Sequence, residues 1–280
     1  MNDVIQRKDI ETLIQLAISE DIGEGDITSR AIFGGGDVSK GVIAAKQRGI
    51  FCGVDVARIV YEIIDPAVSV TPLVRDGDEI AVQDRIIAVT GPTLSILSGE
   101  RITLNFIQRM TAIATRTASV VSMLRGTNSK LLDTRKTLPG FRKLDKYAVK
   151  TGGGTNHRMG LYDMVMIKDN HIRAAGSIAR AVELVRERYG TRYTVEVEAE
   201  DLGNVAEAVA AGADIIMLDN MDATMMKKAV GLIGKRARIE VSGNMDEKRI
   251  QEIAGLDVDY ISMGALTHSV TAFDLSMDFD

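Results

Sequence analysis

Residues 194–265 read TVEVEAEDLGNVAEAVAAGADIIMLDNMDATMMKKAVGLIGKRARIEVSGNMDEKRIQEIAGLDVDYISMGA, and this stretch decides the fold. Short apolar runs at 194–198, 214–219, 238–242 and 260–264 alternate in it with segments of helical periodicity. Strands covered by helices on both faces of a parallel sheet read this way, because each crossover lays a helix over the sheet. The runs recur at roughly 20 to 25 residues, a tight period that favours a βα barrel over an open sheet. Two further runs upstream, 130–133 and 164–168, extend the pattern.

The grammar changes before residue 130. A long helical stretch over 98–125 places Ile102, Phe106, Met110, Ile113 and Val121 near one face and is predicted to link two domains. Earlier still, Ile10, Leu13, Ile14, Ala17 and Ile18 recur at helical spacing behind Asp9, the predicted N-cap, and Gly23 and Gly25 end that helix. Strand-like runs at 42–46, 67–73 and 86–90, turn signals at Asp76-Gly77-Asp78 and Gly91-Pro92, and a helix over 54–64 make this first third an α+β unit.

Composition narrows the function classes. With 280 residues and 45% hydrophobic content the chain can fill one large and one smaller core. A formal charge of −5 argues against general nucleic-acid binding. Cys52 stands alone, so no intrachain disulfide forms, and the opening Met-Asn-Asp-Val lacks a secretion signal; a reducing cytoplasm is the expected location. No uncharged apolar run approaches the ~20 residues of a membrane-spanning helix. The 13 methionines and absent tryptophan are consistent with flexible gap-filling in the core.

Chemistry gathers where the apolar runs stop: Asp133-Thr134-Arg135-Lys136, Lys168-Asp169-Asn170, Glu198, Asp219-Asn220, Ser242-Gly243-Asn244 and Met263-Gly264-Ala265. In a βα barrel the carboxyl ends of the strands share one mouth, so these scattered residues are predicted to converge. A polar residue after a strand is ordinarily a solvated turn; repetition at each successive strand end is harder to dismiss. Arg135, Lys136, Arg158 and Lys168 sit where they can point inward and bind several anionic groups, whereas Arg142, Lys143, Lys146 and Lys150 are expected to be structural. Little aromatic surface is interleaved with these cations, which disfavours RNA. Gly152-Gly153-Gly154 suits an anion loop or a plain turn. Glu198 and Asp219 are able to hold Mg²⁺ through water, to bind ribose hydroxyls, to balance a positive transition state, or simply to pair with nearby lysines. His157, His171 and His268 show no metal-ligand spacing. Lys168 near carboxylates also fits a Schiff-base lysine, but the surrounding cations favour polyanion binding.

The motif DTRKTLPGFRKLDKYAVKTGGGTNHRMGLYDMVMIKDNH (133–171) resembles the core signature of quinolinate phosphoribosyltransferases. The likeness extends to EDIGEGDITS (20–29), GERITLNFIQRMTAIAT (99–115), EVEAE (196–200), ADIIMLDNM (213–221), IEVSGN (239–244) and DYISMGALTHS (259–269), covering essentially the whole chain in order. It implies an incomplete βα barrel over 109–268 with an N-terminal α/β sandwich domain over 1–108, rejoined by the tail 269–280. It implies that Arg135, His157, Arg158 and Lys168 line a quinolinate pocket beside Thr134 and Lys136. Arg101 would reach into a neighbouring subunit's site, making a homodimer the least assembly, with a hexamer left open. Glu198 and Asp219 would face ribose and Mg²⁺, with Lys136 also on the phosphoribosyl pyrophosphate side. Ser242, Gly243, Asn244, Met263, Gly264, Ala265 and His268 would form the phosphate-binding end. Lys168, Glu198 and Asp219 are the residues to which catalysis would fall. Thr155 stands where a larger residue is usual and Asn244 where glycine is common; neither change removes a charge.

The implied reaction joins quinolinate to the ribose of phosphoribosyl pyrophosphate, releasing pyrophosphate and carbon dioxide, in de novo NAD biosynthesis. The rivals are a relative with another acceptor, such as nicotinate, or the paralogue associated with molybdenum uptake, and a non-catalytic barrel that binds a phosphate ligand.

Overall fold

The computed structural model describes residues 5–279. By contacts the chain divides into two compact units: residues up to Ala118 with Leu138–Gly153 and those from Ser269 onward, and Ser119–Thr137 with Gly154–His268.

Elements of the first unit run α1 (Arg7–Asp21), α2 (Ile27–Ile32), β1 (Val38–Ala45), β2 (Gly49–Ile50), α3 (Val54–Ile64), β3 (Ser69–Pro72), β4 (Glu79–Ile80), β5 (Arg85–Pro92) and the long α4 (Thr93–Met123), which continues into the second unit. The helix over 54–64 forms where its periodicity places it. Helix α1 begins earlier than its sequence signal: Gln6 is the N-cap, and Asp9, expected there, is the third helical residue. From that position the Asp9 carboxylate accepts the Gln6 N–H at 3.3 Å and pairs with Lys143, so it supports the helix start from inside the first turn.

Then come β6 (Lys130–Leu132), α5 (Arg142–Thr151), β7 (Val165–Ile167), α6 (Asp169–Ala175), α7 (Ile178–Tyr189), β8 (Val195–Ala199), α8 (Leu202–Ala210), β9 (Ile215–Asp219), α9 (Ala223–Ile233), β10 (Arg238–Ser242), α10 (Glu247–Ile253), β11 (Tyr260–Ser262), α11 (Ala265–His268) and β12 (Leu275–Phe279). Strand β12 returns to the first unit and pairs antiparallel with β1, giving a sheet of order β12-β1-β5-β3. Phe273, Leu275 and Met277 thereby join Phe51, Tyr61, Ile87 and Ile107 in one apolar core.

Helix α5 also belongs to the first unit, although its position in the sequence sets it among the barrel elements. Polar anchors explain this. Asp145, fully buried, takes two bonds of 2.8 Å from the Arg109 guanidinium, Tyr147 donates to Asp76 at 2.7 Å, and Phe141 stacks on Phe106. Gly152 lets the end of α5 approach α4: a Cβ there would lie 2.3 Å from the Ala114 carbonyl oxygen. The glycine run therefore opens with a close packing contact.

In the second unit six parallel strands form one sheet of order β6-β11-β10-β9-β8-β7. The outer strands β6 and β7 are not paired with each other; beyond β6 there is a single bridge, Leu132 to Thr155, so the barrel is incomplete. Alternation along each strand sorts the side chains. Val195, Val197, Ile216, Leu218, Ile239 and Val241 are buried and apolar, while the intervening positions carry Glu196, Glu198, Met217, Asp219, Glu240 and Ser242. The sheet thus presents an apolar face and a chemically furnished one. Asp201, Asp222 and Asp246, just past strands β8, β9 and β10, cap the following helices through the amides of Asn204, Met225 and Arg249. Among the described residues no helix is long and apolar enough to cross a membrane.

Candidate active site

A cavity of about 750 Å³ opens at the carboxyl ends of the barrel strands, within the size range of small-molecule sites. It gathers Thr134, Arg135 and Lys136 after β6, His157 and Arg158 from the loop after α5, and Lys168 at the end of β7. Glu198 and Asp219 come from β8 and β9; Ser242, Gly243 and Asn244 end β10; Gly264, Ala265 and His268 follow β11.

Local chemistry holds each of these in place. The Thr134 hydroxyl accepts the Lys136 N–H at 3.0 Å and Thr267 donates to the Lys136 carbonyl at 2.7 Å, tying the turn after β6 to α11. Asp133, fully buried, accepts the His157 backbone N–H at 2.9 Å and the Asn156 amide at 2.6 Å, which carries residues 156–158 to the mouth. Lys168 forms an ion pair with Glu198, and its backbone N–H donates to His171 Nδ1 at 3.0 Å. Arg158 is buried to 9% exposure and donates to the Met164 carbonyl at 3.2 Å; burial first, then the adjacent Arg135, lower its proton affinity. That crowding of like charge is what a polyanion relieves.

The far side of the mouth is a backbone site. Gly243 has φ +99°, and a Cβ there would sit 2.2 Å from Asn220 Oδ1. Asn220 and Asn244 both adopt left-handed backbone, with φ 54° and 48°. Asparagine tolerates this conformation better than most residues, which is how Asn220 and Asn244 hold it without being glycine. Its amide donates to Asn220 Oδ1 at 3.2 Å, and Asn220 in turn donates to Asp219 Oδ2 at 2.9 Å.

Below the mouth lies a second acidic layer. His157 Nε2 is 3.2 Å from Glu196 and 3.4 Å from Glu240, both essentially inaccessible to solvent. Burial disfavours a charged imidazole and the two carboxylates favour a proton on it, so the proton of this cluster is drawn to the Nε2 side of the ring. A proton on Nδ1 would nevertheless point at the Arg158 N–H, only 2.6 Å away. The geometry therefore keeps Nδ1 as an acceptor and leaves the extra proton with the carboxylates, where burial lifts Glu196 to about 7.

Of the residues expected at this mouth, Met263 lies elsewhere, while Arg101 and Lys146 were assigned other places. Met263 is fully buried outside the cavity lining, and its N–H is spent on the Leu132 carbonyl. Arg101 is exposed on α4 in the first unit. Lys146, grouped among the structural cations, is buried to 1% within α5. Asn220, named with Asp219 at its strand end, lines the cavity, and so do Met166, Met217, Glu240, Met245 and Ser262, which were not singled out. The signal was available for three of them, since Met166, Met217 and Glu240 precede Lys168, Asp219 and Ser242 by one strand alternation and so share their face.

Arginine and lysine cations at one side of a barrel mouth, carboxylates at the centre and a glycine-containing loop opposite define an enzyme that brings polyanionic substrates together on an open βα barrel. Family models agree: quinolinate phosphoribosyl transferase, N-terminal domain, matches residues 26–111, and the C-terminal domain of the same family matches 113–278. The chain belongs to the quinolinate phosphoribosyltransferase family. It is 43% identical over 269 residues to a probable carboxylating nicotinate-nucleotide pyrophosphorylase of Bacillus subtilis, spanning 96% of this chain and 93% of that protein. A chloroplastic carboxylating nicotinate-nucleotide pyrophosphorylase of Arabidopsis thaliana is 42% identical over 97% of this chain and 83% of its own length. The crystal structure of NadC from Streptococcus pyogenes superposes with a TM-score of 0.94 at 40% identity, covering 98% of this chain and 97% of that one.

Proposed function

We propose that this protein is a quinolinate phosphoribosyltransferase, converting quinolinate and phosphoribosyl pyrophosphate into nicotinate mononucleotide, pyrophosphate and carbon dioxide in de novo NAD biosynthesis. The observation that carries the reading is the convergence of Arg135, Lys136, Arg158 and Lys168 on one cavity that also holds Glu198 and Asp219. Quinolinate is a dianion and the donor carries a phosphate and a pyrophosphate, so their approach needs cations on several sides. Arg135, His157, Arg158 and Lys168, with Thr134 beside them, form the acceptor side. Lys136, Ser242, Gly243, Asn244, Gly264, Ala265 and His268 form the donor's phosphate side, where backbone amides and Lys136 meet the oxygens.

Glu198 and Asp219 face the ribose. As pyrophosphate departs, positive charge develops at the ribose carbon, and these carboxylates stabilise it while the pyridine nitrogen attacks. Catalysis is then mainly positioning and electrostatics. Alkylation of the nitrogen makes the ring an electron sink: the adjacent carboxylate leaves as carbon dioxide, the bonding pair stays on the ring carbon beside the cationic nitrogen, and that carbon takes a proton from solvent. The Lys168–Glu198 pair bridges the acceptor cations and the ribose carboxylates.

Hard oxygen donors at a hydrated mouth suit Mg²⁺, which keeps much of its water and takes one or two carboxylates. Glu198 and Asp219 are the residues to hold it, and when bound it would offset pyrophosphate charge. The assembly is a homodimer in which Arg101, displayed on the first unit, completes a partner's site. The cytoplasm is the setting, in keeping with the buried thiol of Cys52.

One assay tests the reading: purified protein with donor and Mg²⁺, offered quinolinate and, separately, nicotinate, with mononucleotide and carbon dioxide followed. Turnover of quinolinate with stoichiometric carbon dioxide is expected, and turnover of nicotinate alone, or of neither, refutes it. Lys168→Ala and Arg135→Ala should each lower turnover by orders of magnitude with the fold intact.

A further inference from the structure

Glu196 and Glu240 occupy interior positions of β8 and β10 with 0% and 1% exposure, where an apolar pair would fill the space without the cost of burying carboxylates. Substrate does not reach Glu196, which is outside the cavity lining. What both face is His157: their Oε2 atoms lie 3.2 and 3.4 Å from Nε2. Glu240 is itself held, because Ser262 Oγ on β11 donates to its Oε1 at 2.5 Å. On the opposite side of the ring, Nδ1 accepts the Arg158 N–H at 2.6 Å. The imidazole thus accepts a hydrogen bond at Nδ1 and faces two carboxylates within ion-pair distance at Nε2.

We propose that Glu196 and Glu240 are positioning residues: they hold His157 as its Nε2–H tautomer and, through the Nδ1 contact to the Arg158 backbone, set the Arg158 guanidinium at the acceptor side of the cavity. The inference rests on the reading that Arg158 engages the acceptor. A ring able to flip or to protonate Nδ1 would turn a donor toward the Arg158 N–H and push that segment away. Asp133 fixes the same backbone from the other side through the His157 N–H at 2.9 Å, so the loop is clamped between two buried acidic groups. Histidines whose one nitrogen is fixed by a carboxylate have their tautomer and ring direction set in this way.

The test uses the full-length protein and the variants Glu196→Leu, Glu196→Gln and Glu240→Gln. The chain has 3 histidines, so ¹⁵N–¹H spectra of the imidazoles can be assigned with His157→Gln as a control. The wild type should show a protonated Nε2 and an unprotonated, hydrogen-bonded Nδ1 at His157, and Glu196→Leu should show mixed tautomers. In kinetics, Glu196→Leu should raise the quinolinate KM about tenfold, the worth of one charge-assisted bond, and leave the donor KM within about twofold. Glu196→Gln, still an acceptor for Nε2–H, should recover most of the loss. A protonated Nδ1 in the wild type, an unchanged quinolinate KM in Glu196→Leu, or equal rises in both KM values would overturn the proposal. So would a stoichiometric metal ion on His157, Glu196 and Glu240, whose ligand atoms lie within 4.8 Å of one another. Should the wild type ignore quinolinate, the assigned function fails, and the tautomer comparison still decides the positioning of His157.

Discussion

Gly243→Ala tests the donor side of the site most directly. At φ +99° an L-residue is strained, and the new methyl carbon would lie 2.2 Å from Asn220 Oδ1, 2.6 Å from its Cγ and 2.8 Å from its backbone nitrogen. Ordinary carbon contacts begin near ~3.5 Å, so the loop after β10 and the end of β9 must separate by about 1 Å. The Asn220 side chain alone cannot yield enough, because its backbone nitrogen is also in the way and is bonded to the Ser242 carbonyl at 3.0 Å. Backbone strain of about 1–3 kcal/mol and a weakened hydrogen bond of about 1 kcal/mol give a stability loss of about 2–4 kcal/mol. Displacement on that scale in a loop that positions phosphate should cost about 10²-fold in kcat/KM for the donor. Urea unfolding measures the first and steady-state kinetics with varied phosphoribosyl pyrophosphate the second. If both stay at wild-type values, the loop is not the positioning element described above.

Three other outcomes follow from named contacts. Arg109→Ala strips both bonds from the fully buried Asp145 carboxylate and should cost about 3–5 kcal/mol by urea unfolding, with Asp145→Asn in the same chain restoring much of it. Asn244→Gly should leave stability and donor KM nearly unchanged, because glycine accepts φ +48° freely, whereas Asn244→Val should lose about 1–3 kcal/mol; equal behaviour of the two would show that the left-handed backbone is unimportant. Glu196 is lifted by burial, against the relief of its His157 bond, to about 7 from an ordinary 4.5, so the native state keeps a proton that the unfolded chain has released. Stability should therefore fall as pH rises from 4.5 to about 7, by up to about 3 kcal/mol, and Glu196→Gln should flatten that slope in urea midpoints measured across the window.

Much of this molecule was legible in its residues. Apolar runs followed by polar clusters located the barrel strands to within a residue or two, since strands buried on one face by helices must be apolar there whatever their neighbours. The same clusters led to Arg135, Lys136, Lys168, Glu198 and Asp219, and the basic group between them to Arg158, all of which the cavity brings together. Periodicity did not reveal that α5 packs in the first unit, because a helix carries no mark of which core its buried face meets until Asp145 finds Arg109 and Tyr147 finds Asp76. Nor did it reveal the acidic layer beneath the mouth. Glu196 and Glu240 are separated by a whole intervening strand and His157 lies on a different loop before both, and only the parallel register of β8, β9 and β10 sets the two carboxylates on one face around a single imidazole. By itself the sequence determined the βα grammar and the supply of cations and carboxylates, because those depend on local pattern and residue chemistry. Which carboxylates face substrate and which are buried against His157 was decided by the tertiary structure, because burial and pairing are properties of the assembled sheet.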